Sequence, residues 1–297
     1  MSAPPVGRNA AAPIGVFDSG VGGLSVLREV QAALPHEDVL YYADSANCPY
    51  GERPPADIEA LTLTALRWLR AQGCKLVVIA CNTACACSLS AVRAVMAAQG
   101  DGDVQIVGLV PALKPAVLHT RSRVVVVFAT PVTLGGSLLA EVIEKHARPA
   151  GVTVLPAFDA RLVPLVEAGE AESLEARRVL RETLTPLIEA GADSLILGCT
   201  HYPYLAPAIR AEFGGRFALY DSGAGVAKRV ASLLSGAGLL HPGEAAGTVR
   251  LYTSGTADAV APVVRQLMGR PVPVRSLGAS TRRSPGAAAV AAGELRP

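Results

Sequence analysis

The sequence predicts an α/β fold built on a mainly parallel sheet. Three observations carry it. Short apolar runs rich in Val, Ile and Leu alternate with segments of helical spacing from Ile14 to Val274, and such alternation packs as parallel strands covered by helices. The run Leu76–Ala80 (Leu-Val-Val-Ile-Ala) contains no polar residue, as expected of a strand buried on both faces, and it ends in Cys81-Asn82-Thr83. The frame recurs at Ser194–His201 (Ser-Leu-Ile-Leu-Gly-Cys-Thr-His). Open α/β sheets carry their chemistry at the carboxyl ends of strands, which is where both cysteines fall.

In chain order, Ile14–Phe17 reads as a strand leading into the glycine-rich turn Asp18–Gly23, and Leu24–Leu34 as a helix stopped by Pro35. A strand at Val39–Tyr42, a polar loop at Ala43–Pro55 and a helix at Ala56–Gln72 ending at Gly73 follow. After the Leu76–Ala80 strand, a helix runs to Ala98 with Thr83 as its expected N-cap. Strands are expected at Val104–Val110, Val124–Phe128, Val152–Leu155, Ser194–Leu197, Ala218–Tyr220, Val249–Tyr252 and Val272–Val274. Helices fall near Ala112–His119, after Leu134, and over Ala171–Ala190, Ala224–Leu234 and Ala257–Met268. Residues 1–12 and 280–297 read as loose ends; no linker is obvious, and a switch near Val110–Pro111 with a return near Asp221 is the expected domain division.

The 297 residues suffice for one large domain or two smaller ones, and 51% hydrophobic against 18% charged residues gives a generous core. A net charge of +2 argues neither for nor against any partner, and the lack of a basic run with interleaved aromatics argues against nucleic acid. No run of about 18 apolar residues suggests a membrane span, and the N-terminal residues lack the pattern of a signal peptide, so a cytoplasmic location is expected. The six cysteines form no Cys-x-x-Cys pair and show no metal-ligand spacing, so they read as thiols, and no metal is expected. None of the four lysines stands where a pyridoxal phosphate Schiff base would.

Several stretches offer chemistry. Asp18-Ser19-Gly20-Val21-Gly22-Gly23 does not match a nucleotide-binding loop, and a strand-end Asp there repels phosphate. The turn alone would also account for its glycines. Asp44–Gly51 reads as a surface turn, with Cys48 incidental. Cys81-Asn82-Thr83 sets a thiol, an amide and a hydroxyl beside unpaired helix N–H groups, although a free Cys is often merely buried. Cys85 and Cys87 read as packing residues. Among five histidines only His201 has chemical neighbours, in Gly198-Cys199-Thr200-His201-Tyr202-Pro203. Glu167, closing Leu162–Glu167, reads as a solvated helix end; Thr130 and Thr133 are ambiguous, and Tyr220-Asp221-Ser222-Gly223 reads as structural.

Two thiols in matching frames suit three chemistries. Acyl transfer needs one nucleophilic Cys and leaves the other idle. Disulfide exchange favours Cys-x-x-Cys. Proton transfer at a stereocentre needs an acid and a base on opposite faces, and a matched pair of thiols fits it best.

Four stretches, Ile14–Leu24, Asp44–Gly51, Ala80–Ala84 and Leu197–Pro203, resemble the glutamate racemase family in sequence and order. The resemblance implies two similar α/β domains, each with a mainly parallel central sheet flanked by helices and with the active site in the cleft between them; residues 1–110 with 221–297 would form one domain and 111–220 the other. It implies cofactor-independent interconversion of L- and D-glutamate, D-glutamate serving peptidoglycan synthesis, and a homodimer. By the same resemblance Cys81 and Cys199 are the acid–base pair, Asp18 assists Cys81, and His201 and Glu167 assist Cys199. Ser19, Tyr50, Gly51, Asn82, Thr83 and Thr200 would hold the substrate, with Asp18, His201, Thr130 and Thr133. Cys48 and Cys85 depart from the family's usual aromatic and serine, as does Ala157–Ala160. An aspartate or related racemase, a single-thiol hydrolase or transferase, and a binding protein on the same fold are the competing readings.

Overall fold

The computed structural model describes residues 9–98 and 105–278. Its ten strands are β1 (Ile14–Asp18), β2 (Val39–Ala43), β3 (Leu76–Ile79), β4 (Gln105–Val107), β5 (Val124–Phe128), β6 (Thr153–Ala157), β7 (Ser194–Leu197), β8 (Ala218–Tyr220), β9 (Val249–Thr253) and β10 (Val274–Ser276). They form two sheets, ordered β10-β9-β2-β1-β3-β4 and β6-β5-β7-β8, and every pairing in both is parallel. The order β2-β1-β3-β4 repeats as β6-β5-β7-β8. The two halves are thus topological copies, with β9 and β10 added at one edge of the first. The recurring strand–Cys–Thr frame is the sequence trace of this repeat.

Parallel strands covered by helices on both faces must be apolar throughout. β1, β2, β3 and β7 accordingly have every residue buried. Register then places the site. Phe17 pairs with Ile79, so β1 and β3 finish together and set Asp18-Ser19 beside Ala80-Cys81. In the second sheet Phe128 pairs with Leu197, which brings Ala129-Thr130 alongside Gly198-Cys199. One hydrophobic core surrounds the larger sheet, and two smaller clusters lie about the other. Each large side chain buried there contributes roughly 1.5–3 kcal/mol.

Local boundaries differ from expectation for physical reasons. The helix after β3 spans Asn82–Met96, and its cap is Cys81, whose sulfur accepts from the Ala84 N–H at 3.4 Å. Thr83 therefore lies in the first turn, because a strand-end sulfur can accept as a hydroxyl would. The helix expected after Leu134 is found at Ser137–Val142 and continues into a wide turn over Ile143–Ala147; a separate short helix, Pro131–Leu134, precedes it across Gly135-Gly136. The helix expected over Ala171–Ala190 is found at Leu174–Glu189, and a separate short helix, Leu162–Glu167, precedes it. The expected strand Val152–Leu155 is shifted to Thr153–Ala157, Val104–Val110 is shortened to Gln105–Val107, and Val272–Val274 is displaced to Val274–Ser276. Residues 1–8 and 280–297 of the expected loose ends lie outside the described residues. Lys75 does more than precede a strand: its fully buried ammonium meets Glu37 at 2.6 Å and donates to the carbonyls of Ala10 and Leu239.

Candidate active site

The carboxyl ends of the two sheets face each other, and each presents one thiol. Cys81 follows β3; its Sγ donates to Ser19 Oγ at 3.5 Å and accepts from Ala84 N–H. Cys199 follows β7, with its Sγ 3.7 Å from His201 Nδ1. Both are largely buried, at 4% and 7% exposure, yet both line one pocket with Ser19, Tyr50, Gly51, Asn82, Thr83, Thr130, Thr200 and His201. Asp18, Glu167 and Thr133 stand behind this lining. Each is bonded to a residue in it: Asp18 Oδ1 accepts from Thr200 Oγ1 at 3.2 Å, Glu167 Oε1 lies 2.6 Å from His201 Nε2, and the Thr133 and Thr130 hydroxyls are 3.1 Å apart. The residues that the resemblance assigned to the site therefore gather at one place.

The two halves are tied by reciprocal bonds. Asp18 takes a bond from the second half through Thr200, while Glu167 takes one from the first through the Val21 N–H at 2.8 Å. Thr83 and Thr130 hydroxyls meet across the cleft at 2.9 Å, and Ser25 Oγ donates to the Thr200 carbonyl. The glycine-rich turn exists for this contact. A Cβ on Gly20 would stand 2.0 Å from Glu167 Oε1, and one on Gly22 would stand 2.5 Å from His201 Nδ1. The glycines admit side chains from the opposite half rather than a phosphate.

Burial and charge set the protonation states. Burial raises the Asp18 carboxyl, with His201 and the N–H groups of Gly23 and Gly20 opposing it. Burial pushes the Cys81 thiol well up, and the nearby Asp18 adds to this against the bonds from Ser19 and Ala84; the resting group is a thiol. Burial alone would lower His201, but its bonds to Cys199, Cys48 and Glu167 hold it well above 6.5. Glu167 is lowered: burial acts upward, and the His201 bond outweighs it. His201 and Glu167 thus form an imidazolium–carboxylate pair beside the Cys199 sulfur.

The apolar-run reading of Leu162–Glu167 as a solvated end is corrected. The short helix turns its last residue inward, and the Glu167 side chain is only 21% exposed. The reading of Cys48 as incidental is also corrected, since its sulfur lies among the donors of Glu167 and His201. Pro49, Glu52, Phe158, Ala160 and Val163 also line the pocket. Their only signal in sequence was neighbourhood: Pro49 and Glu52 flank Tyr50-Gly51, and Phe158 and Ala160 fall in the atypical segment before Leu162. Cys85 is a packing residue as expected, its sulfur bridging the Ile79 carbonyl and the Leu109 N–H. Asp221 and Ser222 are structural, bonding Gly223 N–H and the Val110 carbonyl. The Tyr50 hydroxyl is fixed on Asp44 Oδ2 at 2.5 Å, and Ser254 and Asn47 hold the same carboxylate.

Two parallel-sheet halves with matched strand-end cysteines across one pocket define a racemase, and the chain belongs to the Asp/Glu/hydantoin racemase family, whose model matches residues 14–230. It is 58% identical over 245 residues to the glutamate racemase of Deinococcus radiodurans, covering 82% of each chain. Among solved structures it is similar to a glutamate racemase isoform of Bacillus anthracis (TM-score 0.79, 26% identity, 91% of this chain and 99% of that one). It is also similar to the glutamate racemase of Francisella tularensis in complex with D-glutamate (TM-score 0.78, 27% identity, 91% and 98%).

Proposed function

We propose that the protein interconverts L- and D-glutamate by two-thiol proton transfer without a cofactor. The observation carrying this reading is that Cys81 and Cys199, at the ends of equivalent strands, line one pocket. One sulfur, as thiolate, takes the α-proton and becomes a thiol. The other thiol delivers its proton to the opposite face of the carbanion and is left as the thiolate, so the reverse reaction starts with roles exchanged. Asp18 assists Cys81, and His201 with Glu167 assists Cys199 by holding positive charge and a proton near its sulfur.

An amino-acid α-proton is a very weak acid, so the site must exclude water and stabilise the carbanion electrostatically. The burial of Cys81, Cys199 and the polar side chains of Ser19, Asn82, Thr83, Thr130, Thr200 and His201 around them supports this. Asn82 Oδ1 is buried without a hydrogen-bond partner, and we assign it to the substrate ammonium. The hydroxyls of Ser19, Thr83, Thr130 and Thr200 serve the substrate carboxylates, Thr133 orients Thr130, and Tyr50-Gly51 form the wall. A bound ammonium also favours the Cys81 thiolate, which burial and Asp18 otherwise oppose.

The names of the similar proteins support glutamate as substrate. In this reading the enzyme works in the cytoplasm as a homodimer, supplies D-glutamate for peptidoglycan and so for cell shape, and has domains of 1–110 with 221–297 and of 111–220. Among the described residues no helix is long and apolar enough to cross a membrane. Racemisation in deuterated water tests the chemistry: the wild-type protein incorporates solvent deuterium at the glutamate α-carbon, while Cys81→Ser and Cys199→Ser each lose racemisation by about 10²–10⁴-fold. Turnover of aspartate alone would refute the substrate. Substantial activity in Cys199→Ser would refute the two-thiol mechanism.

A further inference from the structure

Among the described residues, one set of three metal-ligating side chains has its donor atoms gathered together: the Cys48 sulfur, a Glu167 carboxylate oxygen and a His201 imidazole nitrogen, all within 4.8 Å of one another. We propose that these three residues form an inhibitory site for a thiophilic divalent cation of the zinc type. The inhibition rests on the racemase reading above; the binding site does not.

The donor set is mixed. Thiolate, imidazole and carboxylate together suit zinc, whereas magnesium and calcium take oxygen ligands. Bonds of about 2.0–2.3 Å put tetrahedral zinc ligands roughly 3.3–3.8 Å apart. The present cluster reaches that by opening the Nε2–Oε1 bond, now 2.6 Å, and drawing the Cys48 sulfur inward. The outer contacts of such a site are already built. The Val21 N–H fixes Glu167 Oε1, and Cys199 contacts the other imidazole nitrogen of His201. Gly20 keeps the space between the donors free, since a Cβ there would stand 2.0 Å from Glu167 Oε1 and 3.0 Å from the Cys48 sulfur.

The cost falls on the reaction: a metal on His201 Nε2 displaces the Glu167 bond that orients the imidazole beside Cys199. Cys48, which the racemisation scheme does not use, thereby gives the pocket a metal-sensitive brake.

The test titrates Zn²⁺ into the full-length protein, follows racemisation and measures bound metal after dialysis, with Co²⁺ as the spectroscopic probe. Expected are one equivalent of tight Zn²⁺, inhibition reversed by a chelator, no effect of Mg²⁺, and a thiolate–Co²⁺ charge-transfer band in the near ultraviolet. In Cys48→Ala the band disappears, and the Zn²⁺ concentration that halves the variant's own metal-free activity rises at least about tenfold. Cys48→Ser serves equally if the alanine variant folds poorly. Unchanged Zn²⁺ inhibition and an unchanged Co²⁺ band in either variant would overturn the proposal. Absence of racemisation in metal-free wild-type protein would instead strike the function, and the presence or loss of the Co²⁺ band in the Cys48 variants would still decide the metal site.

Discussion

Glu167 Oε1 lies 2.6 Å from His201 Nε2, and the same oxygen accepts the Val21 N–H from the opposite half of the molecule. One carboxylate oxygen therefore orients the imidazole beside Cys199 and helps to close the cleft. Glu167→Gln keeps the shape and removes the charge. We expect kcat to fall by about 10²-fold. With its anionic partner gone, His201 deprotonates at lower pH, so the alkaline limb of the kcat profile moves to lower pH. Profiles measured in both directions of racemisation check this, and a limb that stays in place would remove His201–Glu167 from the proton path.

Gly22 faces the same imidazole from the other side. In Gly22→Ala the new Cβ cannot coexist with a ring atom at 2.5 Å, so His201 must move. A 1 Å displacement of a catalytic group costs about 10²-fold. We expect kcat to drop by that factor while the thermal midpoint falls by only a few degrees. Racemisation assays and thermal denaturation on one preparation distinguish this from a simple folding defect.

Lys75 and Glu37 form a buried ion pair remote from the thiols. Lys75 ties β3's start to the carbonyls of Ala10 and Leu239, and Glu37 accepts from the His241 N–H. Lys75→Ala leaves Glu37 charged in an apolar setting, which costs about 3–5 kcal/mol. Urea denaturation should show that loss. KM, read in the folded range, should stay unchanged.

Asp193 offers a pH test of stability. Burial acts to raise its carboxyl, but bonds from Thr120 Oγ1, the Ser122 and Arg121 N–H groups and Ser194 Oγ bring it to about 2. A depressed carboxylate contributes stability that is fully present above its unfolded value of about 3.9 and is lost as pH falls through the folded value. Discounted for solvent screening, the contribution is about 1 kcal/mol. Denaturation midpoints between pH 5 and 2 should therefore fall less steeply in Asp193→Ala than in the wild type, and parallel curves would contradict this.

The alternation of strands and helices and the paired Cys-Thr frames were legible because buried parallel strands are apolar throughout and end abruptly in polar residues. Resemblance supplied the list of site residues, and geometry gathered them. What escaped local reading were residues whose surroundings come from far along the chain. Glu167 reads as a solvated helix end because its partners, Val21 and His201, are 146 and 34 positions away. Cys48 sits in a loop of turn formers and acquires neighbours only when that loop folds over the second half.

The order of residues is enough to dictate the strand–helix alternation, the twin thiols at strand ends and the glycines between Asp18 and Gly23. Those features follow from burial patterns and backbone sterics, which are local. Only the folded chain settles that the two strand ends face one pocket, that the glycines make room for His201 and Glu167, and that Cys48 joins them. Contacts between segments more than a hundred residues apart depend on how two sheets dock, and no local pattern encodes the docking.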